Sequence, residues 1–253
     1  MTPSRIAAGL VWIALIAGCA SAPKPPSKDG AEIVAWAKAM LAREHYRAVV
    51  NELERLVLNF PDQPFSDEAQ FLLGEAHMGL NEYILAENAY RLLIDSYPGS
   101  QYRDDAELAI AMCYSRQTTN HRLDQSSTVL AERALVQFIE DHPGTPLIPH
   151  ALQELRLVRE RLARKLLEAA RFYLRRGRID SARVYLDQIE QRYPDSTAAL
   201  EARYLRGRCH EKEGNLHEAA QEYVSLLDDL PQSDSLRTEV VRRLADVRGK
   251  IGA

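Results

Sequence analysis

The sequence predicts an all-α solenoid of about five helical hairpins, closed by a C-terminal capping helix. Helix-forming residues dominate, and the β-branched runs typical of strands are absent. Five amphipathic segments also end in the same way, at a proline that cannot continue a helix and that biases the preceding residue away from helical geometry. These prolines are Pro61, Pro98, Pro143, Pro194 and Pro231. Hydrophobic residues make up 46% of the 253, which is enough for a sizeable core.

Residues 67–99 contain the clearest hairpin. Gly74, Ala86, Tyr90 and Pro98 follow one another at the spacing of a tetratricopeptide repeat. The first two are small residues, and we expect them where the two helices cross, because a larger side chain would push the backbones apart. One such hairpin cannot bury its own apolar face, so it predicts further repeats beside it.

Small residues also occur at the corresponding positions before the other four prolines, which predicts four more repeats. The turns agree, since Gly177 and Gly214 stand where a tight helix–helix turn favours glycine. The small pairs are Ala37 and Val49, Ala111 and Ala131, Ala170 and Ala182, and Gly207 and Ala219.

The first 18 residues have the pattern of a bacterial lipoprotein signal peptide. A positively charged start precedes an apolar run that is too short to span a bilayer, and Ile16-Ala17-Gly18-Cys19 is typical of a lipobox. We expect Cys19 to carry an S-diacylglycerol and an N-palmitoyl chain, since stable anchoring takes two or more chains. The alternative is an ordinary secretory signal with an accidental cysteine. Ala20 follows in place of an aspartate, which by likeness to sorted lipoproteins predicts the periplasmic face of the outer membrane.

The rest of the chain divides into a tether and two groups of repeats. Residues 19–30 are proline-rich and predict a flexible tether. Residues 31–145 hold repeats one to three, with a polar loop expected at 115–127 inside the third. Residues 146–253 begin with one long helix over 146–176, continue with repeats four and five, and end in a capping helix over 234–250.

No pattern of residues indicates catalysis or a resident cofactor. The seven histidines are scattered singly, without metal-ligand spacing, and no nucleophile, zinc or phosphate-loop motif is present. Cys113 and Cys209 take the same register in two repeats, where buried, inert thiols are the expectation. A net charge of −4 argues against nucleic acid as the main partner. The sequence therefore predicts neither an enzyme nor a metal protein.

Binding by such a solenoid is expected in the groove lined by the first helix of each repeat. In the first half these positions are largely apolar, which suits an extended peptide with aromatic side chains, although they could equally complete packing between repeats. In the second half they are mainly basic, which suits an acidic partner. The expected groove residues are Val34, Lys38, Leu41, Phe71, Glu75, Met78, Leu108, Met112 and Arg116, then Leu167, Arg171, Arg175, Tyr204, Arg208 and Lys212.

Three segments go beyond generic repeats and resemble the BamD family of outer-membrane lipoproteins. They are NFPDQPFSDEAQFLLGEAHM (59–78), LDQSSTVLAERALVQFIEDHPGT (123–145) and RERLARKLLEAARFYLRRGRIDSARVYLDQIEQRYPDS (159–196). Arg164 and Leu166 depart from the family, which usually has acidic residues there.

The resemblance implies a non-enzymatic scaffold of the β-barrel assembly (BAM) complex. Its second half would dock on the POTRA domains of BamA, beside other BAM lipoproteins, and its first half would receive the aromatic-ended carboxy-terminal segment of unfolded outer-membrane β-barrel proteins. The alternatives are another envelope lipoprotein with these repeats, such as a secretin pilot protein, and an envelope enzyme, for which the chain shows no catalytic cluster.

Overall fold

The structure is a computed structural model that describes residues 24–25, 28–117 and 125–252. The predicted signal peptide and Cys19 lie outside the described residues. Within them the chain forms eleven α-helices and no strand. The helices are α1 (Gly30–Leu41), α2 (Tyr46–Asn59), α3 (Ser66–Gly79), α4 (Tyr83–Ser96), α5 (Arg103–Gln117), α6 (Ser126–Asp141), α7 (Ile148–Arg175), α8 (Ile179–Arg192), α9 (Thr197–Glu213), α10 (Leu216–Asp229) and α11 (Ser235–Ile251).

The first ten helices pair into five successive hairpins, and α11 packs against the last one. Each helix also contacts the next along the chain, so every hairpin lies against its neighbours. First helices of adjacent repeats touch as well, α1 with α3 and α7 with α9. The tetratricopeptide-repeat solenoid with a C-terminal capping helix is thus confirmed.

The long helix α7 joins the third hairpin to the fourth. Its 28 residues pack on α6 and α5 on one side and on α8 and α9 on the other. Its bounds lie within two residues of the predicted 146–176. A stripe of apolar residues runs the length of the helix and is buried, from Ala151 through Val158, Leu162 and Ala170 to Leu174, as expected for an amphipathic helix that faces a core.

Both ends of the segment 115–127, which was predicted to be a loop, are helical. Residues 115–117 continue α5, and 126–127 belong to α6, while 118–124 lie outside the described residues. Polar composition suggested a loop, but Ser115 is buried and its polar groups are satisfied by α7. Its hydroxyl donates to Glu154 at 2.5 Å, and Arg161 donates to its carbonyl oxygen at 2.9 Å. With those partners a serine can stay inside a packed helix.

Small residues lie where the helices of each hairpin cross, as predicted. Ala37, Val49, Ala86, Ala111, Ala131, Ala170, Ala182 and Ala219 have no exposed surface. Around them the buried side chains form three core clusters. The largest includes Leu108 of α5 and Val247 of α11, so the third hairpin shares a core with the later ones. The division at residue 145 stays a prediction.

The turn within each of four hairpins uses a left-handed residue two positions before the second helix. Gly177 and Gly214 have φ of 71° and 83°, where glycine avoids the steric cost that a Cβ brings. Glu44 and Asn81 occupy the equivalent positions with φ of 61° and 60°. The predicted turn glycines are therefore correct, and the first two repeats make the same turn without glycine.

Candidate functional site on the first helices of the repeats

One recurring position on the first helices of the repeats is buried, although it was predicted to face the groove. Val34, Leu108, Leu167 and Tyr204 each lie three residues before the small residue of their helix, and they are only 3–7% exposed. They were expected in the groove, and for these four the expectation is wrong. All four belong to the core clusters, because this register faces the next hairpin.

Phe71 occupies the same register but is only half-buried. Its ring stacks on Tyr102 of α5, with centroids 5.0 Å apart and planes at 16°, and lies 5.8 Å from the ring of Tyr90. It packs against both the cluster between the first and second hairpins and the cluster between the second and third hairpins. Phe71 thus connects hairpins while leaving part of its ring accessible.

The two groove methionines are half-buried as well. Met78 packs on the cluster between the second and third hairpins, with its sulfur 3.3 Å from Cys113 Sγ. Met112 packs on the largest cluster. Phe71, Met78 and Met112 therefore all take part in packing between repeats, and a role in binding a peptide would use only the part that remains exposed.

Lys38, Glu68 and Tyr102 form a series of polar contacts that ends at the ring on which Phe71 stacks. Lys38 Nζ on α1 lies 2.5 Å from Glu68 on α3, which also accepts from the hydroxyl of Tyr102 on α5. Burial alone would raise the pKa of the Glu68 carboxyl, but the hydrogen bonds from Lys38 and Tyr102 outweigh it and lower the pKa. For Tyr102, burial and the Glu68 carboxylate raise the pKa to about 12. The first three hairpins are thus tied together beside Phe71.

Glu75 and Arg116 are the other charged candidates of the first half, and both are exposed. Glu75 accepts a hydrogen bond of 2.5 Å from the Tyr90 hydroxyl. Burial, and next the charge of Glu75, raise the pKa of that phenol. No carboxylate of the described residues lies within ion-pair distance of Arg116, so its charge is open to solvent on α5. The assignment of these residues to a peptide groove stays a prediction.

In the second half, Arg171, Arg175 and Arg208 surround one depression of about 270 Å³. Lys212 completes the basic rim, so the structure brings together three of the residues expected to bind a partner and one more groove cation. The floor is formed by Leu174 and Leu205, which are 6% and 7% exposed. These two leucines were not among the predicted groove residues, although both belong to the apolar stripes of their helices.

The cations around this depression differ in how far they are neutralised. Arg171 forms an ion pair with Glu201. Arg208 donates to the Tyr204 hydroxyl at 3.3 Å, with its guanidinium 6.0 Å from the centre of that ring. Arg175 and Lys212 are exposed and have no carboxylate partner among the described residues. The depression therefore keeps a positive charge suited to a carboxylate-bearing partner.

In the described part of the chain the possible metal ligands are dispersed and both cysteines are buried. This part contains no group of three or more possible metal ligands. Cys113 and Cys209 are free and buried, and burial raises the pKa of both thiols, that of Cys113 to about 12. Both therefore stay protonated near neutral pH, where a thiolate would be needed for reactivity. Between residues 28 and 252, leaving aside 118–124, no helix combines the length and the apolar character needed to cross a bilayer.

Comparison with known proteins identifies the family. The family model YfiO, described as "Outer membrane lipoprotein", matches residues 26–227. The chain belongs to this family. Two relatives carry the name outer membrane protein assembly factor BamD, so the likeness to the BamD family is confirmed. That of Caulobacter vibrioides is 25% identical over 205 residues, 79% of this chain and 67% of the relative. That of Rickettsia prowazekii is 23% identical over 235 residues, 90% of this chain and 91% of the relative.

Among solved structures, a TPR protein of Thermus thermophilus is similar to this chain. It shares 16% identity and a TM-score of 0.38, with 87% of this chain and 98% of that protein covered. The repeat assignment for this BamD-family chain rests on its own helices, turns and small residues, which recur in the same register in successive hairpins.

Proposed function

We propose that this chain is a lipid-anchored scaffold of the outer-membrane β-barrel assembly machinery. The observation that carries the proposal is the family match, which extends over residues 26–227 and so includes all five hairpins except the last two residues of α10. The relatives are named outer membrane protein assembly factors. An extended array of hairpins with accessible side chains suits such a role, because it offers separate surfaces to several partners.

The anchor would be Cys19, carrying diacylglyceryl and palmitoyl chains in the inner leaflet of the outer membrane. The lipobox-like sequence and the short proline-rich segment after it support this part of the proposal. The repeats would then lie on the periplasmic side, within reach of other envelope proteins.

The second half would dock on the POTRA domains of BamA, beside other BAM lipoproteins. The depression formed by Arg171, Arg175, Arg208 and Lys212 supports this, because it combines unneutralised cations with an apolar floor. An acidic side chain of the partner could pair with Arg175 or Lys212 without displacing an existing ion pair. Such complementary charges favour both the rate and the specificity of association.

The first half would receive the aromatic-ended carboxy-terminal segment of an unfolded β-barrel protein. Phe71, Met78 and Met112 offer half-buried apolar surface on the first helices. Methionine suits a site that accepts many sequences, because its flexible side chain adapts to different partners. The exposed charge of Arg116 would attract a terminal carboxylate, and Lys38 would contribute by exchanging its ion pair with Glu68 for one with that carboxylate.

Depletion of the chain in its own cell tests the proposed role. Outer-membrane β-barrel proteins should fall in abundance, and their unfolded precursors should accumulate in the periplasm. Expression of the wild-type chain from a second copy should restore both, which controls for indirect effects. A pull-down from envelope extracts should recover BamA. Normal barrel levels after depletion, or recovery of a secretin in place of BamA, would refute the proposal.

A further inference from the structure

A second depression lies at the start of the fold, between the tether and the first hairpin. Its volume is about 430 Å³. Lys24, Pro25 and Lys28 form one wall, and α2 with its C-terminal cap forms the other, so these described residues of the tether lie beside the first hairpin. The lining residues are Lys24, Pro25, Lys28, Ile33, Glu52, Arg55, Leu56, Asn59 and Phe60.

The rim of this depression combines cations with exposed apolar side chains. Lys24, Lys28 and Arg55 face one carboxylate, Glu52, whose nearest contact with Arg55 is 3.7 Å. Neither lysine has an ion-pair partner among the described residues. We call this set, with Phe60 and the neighbouring Leu58, the tether face.

Phe60 and Leu58 supply the apolar part of the tether face. Phe60 is 48% exposed, and Leu58 in the last turn of α2 is 80% exposed, more than any other large hydrophobic side chain in the described part of the chain. Neither packs on a core cluster. Phe60 lines the depression, and Leu58 precedes it by two residues, so both exposed apolar side chains stand close in sequence to the cation Arg55.

The tether face must lie close to the membrane if Cys19 is acylated. Lys24 follows Cys19 by five residues, and a fully extended chain spans at most about 3.6 Å per residue, which gives roughly 18 Å. The headgroup layer on each side of a bilayer is itself roughly 6 Å thick. A tether that is less than fully extended brings Lys24 nearer to the membrane than this limit, and the long side chains of lysine and arginine cover part of the remaining distance to the lipid phosphates.

We propose that the tether face binds the surface of a membrane that contains anionic phospholipid, as a second contact beside the acyl anchor. This inference rests on the proposed acylation of Cys19. Lys24, Lys28 and Arg55 pair with lipid phosphates, while Phe60 and Leu58 enter the boundary between headgroups and acyl chains. Basic residues next to aliphatic and aromatic ones are typical of protein surfaces that lie in this interface. The contact orients the first hairpin relative to the bilayer.

The test uses the acylated full chain, reconstituted in vesicles of phosphatidylethanolamine and phosphatidylglycerol with brominated acyl chains. Bromine quenches tryptophan fluorescence only at short range, so F60W reports whether this position enters the bilayer interface. F172W is the matched control, because Phe172 is similarly exposed, at 41%, on α7. We expect quenching of F60W well above that of F172W, after subtraction of the background from Trp36 that the two variants share.

Charge reversal tests the role of the cations. In the F60W chain, K24E/K28E/R55E should reduce quenching to the level of F172W, and so should vesicles of phosphatidylcholine alone. R156E/R248E/K250E changes the same number of exposed cations elsewhere and should leave quenching unchanged. If circular dichroism shows that the triple reversal unfolds the first hairpin, the milder K24Q/K28Q should still weaken quenching.

The outcomes separate this inference from the proposed anchor. If the protein floats with the vesicles and Cys19 has the mass of its acyl chains, but F60W is quenched no more than F172W, the tether face is not a membrane contact and the anchor stands. If Cys19 is not acylated, both proposals fail. Equal quenching with and without the charge reversals would also overturn the inference, because the cations would then have no part in it.

Discussion

The ring of Tyr90 on α4 lies directly against the backbone of Gly74 on α3, in the space that a Cβ would occupy. Its hydroxyl reaches past the glycine and donates to Glu75, the next residue, at 2.5 Å. The fifth hairpin repeats the arrangement, with Tyr223 over Gly207 and its hydroxyl on Glu211, also at 2.5 Å. In both hairpins a glycine leaves room for a fully buried tyrosine that fixes the two helices together.

We therefore expect Gly74→Ala to destabilise the fold. Alanine is the better helix former by about 1 kcal/mol, but its Cβ would overlap the Tyr90 ring, and overpacking of this kind costs about 1–3 kcal/mol. Urea unfolding followed by circular dichroism gives the change in the free energy of unfolding. Gly249→Ala is the control, since a Cβ there meets no atom within 4 Å. A G74A chain as stable as G249A would contradict the packing argument.

Gly74 also shows what could be predicted from the sequence. Its place at the helix crossing followed from the spacing of small residues and prolines, which are local features of each repeat. That Tyr90 fills the space needed the three-dimensional packing of α3 on α4. The repeats, the long α7 and the turn glycines were likewise predictable, because each depends on a pattern within one hairpin.

The orientation of the groove residues was harder to predict. Neighbouring positions on a helix point about 100° apart, so a shift of one residue moves a side chain from the groove to a core. Val34, Leu108 and Tyr204 are buried for this reason. The basic depression was partly predictable from Arg171, Arg175 and Arg208, but its leucine floor and the pairing of Arg171 with Glu201 depend on how α7 meets α9.

Substitution of Phe71 tests whether its half-buried ring stabilises the contact between hairpins. We expect Phe71→Ala to lower the free energy of unfolding by about 2–3 kcal/mol, less than the 3–5 kcal/mol of a fully buried phenylalanine, because the ring is only half-buried. Its contacts with Tyr102 and with two core clusters would be lost. Phe172→Ala, on the exposed side of α7, should cost less. Thermal and urea unfolding of both variants give the comparison, and equal losses would mean that Phe71 does not join the hairpins.

Phe71→Glu together with Met78→Glu then separates packing from peptide binding. If the double variant keeps its helical circular dichroism but no longer binds a carboxy-terminal barrel peptide, the exposed parts of these side chains bind substrate. If it unfolds, their contribution is structural, and the peptide groove must be sought elsewhere.

The packing of the capping helix α11 should become less stable in acid, because Glu239 becomes protonated. Hydrogen bonds from Arg242, and to a smaller extent from Arg243 and Tyr204, lower the pKa of this carboxyl from 4.5 to about 2. A lowered pKa in the folded state contributes stability above the ordinary value, and that stability is lost as the pH falls from 4.5 towards 2. Because Tyr204 lies on α9, the loss should weaken the contact between α9 and α11.

Unfolding midpoints measured across this pH window check the prediction. Glu239→Gln should be less stable than the wild type at neutral pH and should lose less stability on acidification. Glu218→Gln is the control and should follow the wild type, because Glu218 is exposed on α10 and forms no ion pair with any described residue. Parallel pH profiles for wild type and E239Q would show that Glu239 does not stabilise the cap.

Cys19→Ala tests the anchor. Without the thiol no diacylglyceryl thioether can form, so the protein should leave the membrane fraction and should not incorporate labelled palmitate. Cys113→Ala controls for the loss of a cysteine, because Cys113 is buried and cannot reach a lipid donor. Retention of both membrane fractionation and label in C19A would exclude acylation at this residue.

The basic depression leads to the last prediction. Arg175 and Lys212 have no carboxylate partner among the described residues, so reversing their charge breaks no internal ion pair. Both lie in the last turn of their helices, where a cation is favourable, so the reversal should cost about 1–2 kcal/mol of the free energy of unfolding and leave the fold intact. If the second half docks on an acidic surface of BamA, R175E/K212E should abolish its recovery in a pull-down from envelope extracts.

R156E/K250E changes two exposed cations outside the depression and serves as the matched control. Recovery of BamA should survive in that variant and should decline with increasing salt for the wild type, because exposed charges are screened. Undiminished recovery with R175E/K212E would place the BamA contact on another face of the solenoid. Loss of BamA recovery in both variants would point to net charge as the cause, because the two double reversals change the net charge by the same amount at different places.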